Sequence, residues 1–212
     1  LFQQLYSLVD TLVIGQVEGV TALAAVSAAG WLDWMVLGLA MGMAQGFAIL
    51  IAQYFGANDV ANLRRAAGQS ILLSIGIAVL LTAVSEALLW PTLLLLQSPE
   101  NTIQLTCDYL RIIFAGVSFV MAFNLLSGFL RSLGDSRTPL YAMTSAALCN
   151  IALDILFVAV FRWGVFGVAI ATVLSQCLSS VICLLALRKM PIMALSRQDL
   201  KADPPMMKQL LG

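Results

Sequence analysis

Residues 138–187 read TPLYAMTSAALCNIALDILFVAVFRWGVFGVAIATVLSQCLSSVICLLAL. Two apolar runs, 138–161 and 164–187, flank the tight turn Phe161-Arg162-Trp163-Gly164. About 20 apolar residues carry an α-helix across a bilayer, so each run is a membrane span and the pair is a helical hairpin. Asn150 and Asp154 stand four residues apart in the first run, on one face of its helix. Thr172 lies across the hairpin, with Ser175, Gln176 and Ser179 on the same broad face of the second run. An ionised carboxylate is costly in hydrocarbon, so an acid inside a span usually faces a cavity and handles ions or protons.

Four more spans precede the hairpin: 1–15, 21–55, 67–96 and 101–130. Breakers part them: Gly15 to Gly19, Gly56-Ala57-Asn58-Asp59, Ser98-Pro99-Glu100 and Gly134-Asp135-Ser136-Arg137-Thr138-Pro139. Pro139 suits a first helical turn. The second span is long enough to tilt or to project from the hydrocarbon. Of the 212 residues, 61% are hydrophobic and only 10% charged, with a mean hydropathy of +0.96. A soluble domain carries about 25% charge. The expectation is an all-α integral membrane protein, a six-helix transmembrane bundle over 1–187, whose first helix looks truncated because Leu1 already lies in an apolar run. The more polar tail, 188–212, would be a linker on the membrane surface leading to further helices.

Composition also excludes. Zero net charge gives no footprint for nucleic acid, and a chain without histidine whose four cysteines lack CxxC spacing offers neither a thiol–histidine metal site nor a disulfide framework. No nucleophile–base pair points to an enzyme. Of the eleven basic residues, all but Arg111 and Arg162 fall on one side of these spans, which the positive-inside rule makes cytoplasmic. The N-terminus and the tail are then both inside.

A second intramembrane acid, Asp10, shares a helical stripe with Gln3, Ser7 and Thr11. At 1.5 Å per residue, Asp154 and Thr172 lie about 13 Å from the hairpin tip and Asp10 about 8 Å from the outer end of its helix. All three fall in the outer half of the bilayer. Two carboxylates, an amide and a hydroxyl supply hard oxygen ligands for a small cation; desolvated together, the same acids exchange protons instead. The plainer alternative is that each acid is hydrogen-bonded within the bundle. Gln45, Gln53, Asn124 and Gln176 are candidates for lining a polar pathway, with interhelical hydrogen bonding as the alternative for Gln45, Gln53 and Asn124. Gly38, Gly42 and Gly46 have the spacing of close helix packing. Asp33 and Glu86 read as interfacial or locally partnered.

Val9-Asp10-Thr11 with Gly15, Ala22-Leu23-Ala24-Ala25-Val26, Gln53-Tyr54-Phe55-Gly56-Ala57, Tyr109-Leu110-Arg111-Ile112, Gly134 to Pro139, Asn150 to Asp154 and Gly164 to Thr172 together resemble the N-terminal half of the multidrug and toxic compound extrusion (MATE) family. The resemblance runs from about Tyr6 to Arg188. It implies one lobe of a twelve-helix, two-lobe exporter working by alternating access. Such an exporter uses no cofactor, is driven by sodium ions or protons, and binds a small organic substrate between its lobes. It also implies that Asp10, Asn150, Asp154 and Thr172 hold the coupling ion, that the C-terminal lobe is missing here, and that the protein sits in a bacterial inner membrane. A flippase for lipid-linked oligosaccharides, from the wider superfamily, would need basic residues in its cavity, and none falls mid-span. A non-transporting scaffold would not need acids and polar ligands at matched depth.

The orientation is testable with single cysteines at Asn58 and Arg137 in a cysteine-free background of the complete protein. Both should resist an impermeant thiol reagent applied outside intact cells, and rapid labelling of both would invert the topology.

Overall fold

Pro139, Gly116 and the short turns punctuate an otherwise helical chain. A computed structural model describes residues 20–95, 100–196 and 199–211, of which 20–29, 31–33, 95, 100–102 and 211 are described in backbone only. The predicted first span, with Gln3, Ser7 and Asp10, lies outside the described residues, as does the side chain of Asp33. Helix α1 covers Val20–Gly56, α2 Val60–Leu95, α3 Glu100–Ala115, α4 Val117–Ser132, α5 Arg137–Asp154 and α6 Gly164–Arg188. α5 continues as a π-helical stretch, Ile155–Val160, and the tail holds a 3-10 turn at Pro191–Met193 and the short α7, Pro204–Leu211. No strand occurs among the described residues.

Four helical segments are long and apolar enough to cross a membrane: Trp34–Gly56, Val60–Leu94, Arg137–Val160 and Gly164–Arg188. The expected single span at 101–130 is instead α3 and α4 meeting at a 41° bend, which makes a fifth crossing if the pair is one span. Close packing accounts for the break. Gly116 is buried at the bend, and a Cβ there would stand 2.5 Å from a Val173 methyl of α6.

α4 is the central helix. Leu125 through Leu130 are all buried, whichever way they point, which marks a helix surrounded by others. It packs against α1, α2 and α6, and α5 packs mainly on α6. Phe47, Phe114, Phe129, Met121 and Leu130 fill the core, while Trp34, Ile75, Val79, Leu148 and Val160 face outward, the pattern of a bundle bathed in lipid.

The turns are built by their own side chains. Between α1 and α2, Asn58 takes a left-handed φ of 56°, and the Asp59 carboxylate accepts the Asn62 amide at 3.1 Å and the Asn62 side-chain NH2 at 2.7 Å. Those bonds, the backbone one foremost, hold the Asp59 carboxyl below its ordinary range. Asp135 does the same for α5, accepting the Thr138 hydroxyl at 2.6 Å and the Thr138 and Arg137 amides at 3.0 and 3.1 Å. Its carboxyl is lowered chiefly by the Thr138 hydroxyl. The cap is therefore fully in force above the carboxylate's unfolded value and is lost as pH falls through the depressed one.

The glycine stripe on α1 has no packing partner among the described residues. Nothing among the described residues comes within 4 Å of a Cβ placed on Gly38, Gly42 or Gly46. Among the described residues they line an open cavity of about 330 Å³ with Leu39, Met43, Phe47 and Leu210. Small residues make a helix face smooth, but a smooth face still needs a partner. The close contact is at Gly128 of α4, where a Cβ would lie 2.9 Å from that of Ala48, beside the 2.8 Å bond that the Ser132 hydroxyl donates to the Ala48 carbonyl. Glu86 has a local partner, Arg111 at 3.8 Å, in an exposed pair of the kind that contributes little.

The Gly128 contact can be tested in the complete purified protein. Gly128→Val overpacks the α1–α4 contact and should cost roughly 1–3 kcal/mol, lowering the thermal midpoint in detergent.

Candidate functional site

The buried face of α5 is Pro139, Ala142, Ala146, Ala147, Asn150 and Asp154. Small side chains along its inner half let α6 come close, and the two polar residues then enter the bundle where α5 gives way to the π stretch. Neither Asn150 nor Asp154 has any exposed surface. The π segment is marked by the bond that the Phe161 amide donates to the Leu156 carbonyl at 2.9 Å, five residues back. Such widened turns are frequent at functional sites.

α6, which packs on α5, carries a polar row of its own. Ser175, Gln176, Ser179 and Ser180 are buried and Thr172 is half-buried. The serines turn their hydroxyls back onto their own helix: Ser175 donates to the Thr172 carbonyl, Ser179 to the Gln176 carbonyl and Ser180 to the Cys177 carbonyl, each at 2.8 Å. Each hydroxyl proton is thereby occupied, and the oxygens keep acceptor capacity.

Asn150 is the unusual member. Neither its amide nitrogen nor its oxygen has a hydrogen-bond partner among the described residues. A buried polar group left so costs about 1–3 kcal/mol, and helix packing gives no return for it. An amide and a carboxylate one turn apart, fully buried, form a donor set suited to a small cation.

The other expected residues scatter. Gln45 and Gln53 are exposed on α1, Gln53 close to its end at Gly56. Asn124 is half-buried on α4 and donates to the Val120 carbonyl of its own helix at 2.8 Å. The structure thus groups Asn150 and Asp154 on α5, packed against the helix that carries Thr172 and Gln176, and leaves Gln45, Gln53 and Asn124 on other helices. Sequence reasoning passed over the buried polar row Gln69, Ser70 and Ser74 of α2. The spacing of Ser70 and Ser74, one turn apart in an apolar run, was its only signal.

A family model, MatE, matches residues 1–156. The chain belongs to the MatE family. It is 31% identical over 191 residues to the probable multidrug resistance protein YoeA of Bacillus subtilis, covering 88% of this chain and 41% of that protein. The FAD transporter of Shewanella oneidensis is 30% identical over 176 residues, covering 80% of this chain and 38% of the transporter. Among solved structures, the inward-facing and outward-facing conformations of a multidrug resistance MATE family transporter superpose with TM-scores of 0.89 and 0.88, each at 26% identity. They cover 99% of this chain and 48% and 47% of theirs. The chain thus spans less than half the length of these MATE relatives, as a single lobe.

Asn150 separates stability from function. Asn150→Leu removes a buried amide with no described partner, so the MATE lobe should unfold at the same temperature or higher. A clear fall in the thermal midpoint would mean that the amide serves packing.

Proposed function

We propose that the complete protein is a secondary active transporter that exports amphipathic organic compounds in exchange for sodium ions or protons, and that residues 1–187 form its first lobe. The observation that carries this is the fully buried Asn150–Asp154 pair on a helix packed against α6, which carries buried polar residues of its own. A carboxylate there changes charge when it takes up a cation or proton, and its environment decides when it releases it. Asp154 and Asp10 bind the coupling ion, while Asn150 and Thr172 complete its shell. Gln3, Ser7 and Gln176 line the adjoining cavity, and Gln45, Gln53 and Asn124 line the pathway farther off.

Alternating access needs lobes that move as bodies about a site between them. The near-equal match to inward- and outward-facing relatives supports a lobe of one shape in both states. The tail, 188–212, is the cytoplasmic linker to the second lobe, on the side where the basic residues cluster. Apolar helix faces with few fixed polar groups suit amphipathic organic cations. A carrier of anionic pyrophosphates is disfavoured because no lysine or arginine falls mid-span.

In the complete protein, Asp154→Asn and Asp10→Asn should each reduce gradient-driven ethidium efflux to background at matched membrane abundance. Wild-type export by both would make the acids structural. Thr172→Val then distinguishes the ions: sodium needs several oxygen ligands and a proton only one carboxylate. The substitution should sharply weaken export in a sodium-coupled protein and leave a proton-coupled one nearly unchanged. Export unaffected by Thr172→Val under either gradient would remove Thr172 from the site.

A further inference from the structure

Gln69 is a long polar side chain, 1% exposed, in the membrane-spanning helix α2, yet it bonds to nothing on its own helix. Its side-chain nitrogen donates to the Asp199 carbonyl at 3.1 Å and to the Lys201 carbonyl at 2.7 Å. Its oxygen accepts the Asp203 amide at 3.0 Å. Both donors and one acceptor position thus grip the main chain of a single five-residue segment, 199–203. The neighbouring residue makes the grip close: a Cβ on Gly68 would collide with the Asp199 carbonyl. One turn earlier, Arg64 donates to the Ile192 and Pro191 carbonyls, each at 2.9 Å. The segment is itself pre-folded, because the Asp199 carboxylate accepts the Ser196 amide and hydroxyl, both at 2.7 Å.

Beyond Asp203 the attachment changes character. The chain enters α7 at Pro204, and α7 meets α1 through an exposed 3.1 Å hydrogen bond from the Tyr54 hydroxyl to Gln209 and a 4.0 Å contact of the same hydroxyl with the Met206 sulfur. α7 also packs on α2 and buries Met206 in the core, so apolar contact holds it where directional bonds hold residues 199–203. Directional bonds fix one register on α2, whereas apolar contact is non-directional and lets a helix shift.

We infer that Gln69 is a positioning residue for transport: it fixes residues 199–203 to α2, so that movement between this lobe and the rest of the protein is taken up in α7 and beyond. This rests on the alternating-access function proposed above. Restrained φ angles at Pro204 and Pro205 make the junction a stiff elbow, and the fixed point before it gives the swinging segment a defined pivot.

The test uses the complete protein in inside-out membrane vesicles, with trypsin cleavage after Lys201 and ion-driven ethidium transport as readouts. In the wild type the scissile Lys201 carbonyl is held by Gln69, and proteolysis follows the population of the detached form. Gln69→Leu should raise cleavage there by about tenfold or more. It should also lower the maximal transport rate by about fivefold or more, with the ethidium KM within about twofold of wild type. Gly68→Val keeps the glutamine but pushes the segment away, and should do the same; it carries the test if Gln69→Leu fails to accumulate. Unchanged cleavage and maximal rate in an accumulated variant would overturn the inference, as would a loss of protein amount with the rate per molecule intact. If the wild type moves no ethidium under either gradient, the proposed function is what fails, and the cleavage comparison still decides whether Gln69 holds the segment.

Discussion

A bilayer supplies no hydrogen bonds, so every polar group carried into it must find a partner in the protein or face a cavity. The architecture follows from that constraint. Helices satisfy the backbone, apolar side chains cover the outside, and the exceptions collect where helices pack. Asn150 and Asp154 are the sharpest of them, fully buried one turn apart on α5. Alanines on the same face admit α6, and α6 brings serines whose protons are already committed to its own backbone. The site is a consequence of which residues are small as much as of which are polar.

The hairpin was legible because its signals are local. Run length gave the spans, Pro139 and the Gly134–Arg137 breaker gave the start of α5, and four-residue spacing put Asn150 and Asp154 on one face. The break at Gly116 was not legible, since an apolar run continues through it and only the approach of Val173, from a helix far along the chain, makes a glycine necessary there. The π stretch after Asp154 likewise leaves no mark in hydropathy.

At Gly38, Gly42 and Gly46 a packing pattern is present whose partner is not among the described residues. The converse holds for Gln69. Its bonds reach residues some 130 positions away in the chain, and no periodicity announces a side chain whose partners are the carbonyls and amide of a distant loop.

The helices of this lobe are not of one height. α1 and α2, with 37 and 36 residues, rise about 55 Å, well beyond a hydrocarbon core of about 30 Å. The arms of the hairpin that carries Asp154 are only 24 and 25 residues long, and its tip is gathered by aromatic rings, Phe157 stacked on Trp163 at 5.0 Å and Phe161 tilted against Trp163 at 5.5 Å. Aromatic side chains settle at the headgroup level. In a bilayer that thickens or thins, the long helices have length to spare and answer by tilting, while the ring cluster keeps the hairpin tip at the interface. Asp154 then holds its depth below the headgroups whatever the lipid composition, because that depth is counted out in residues from the rings.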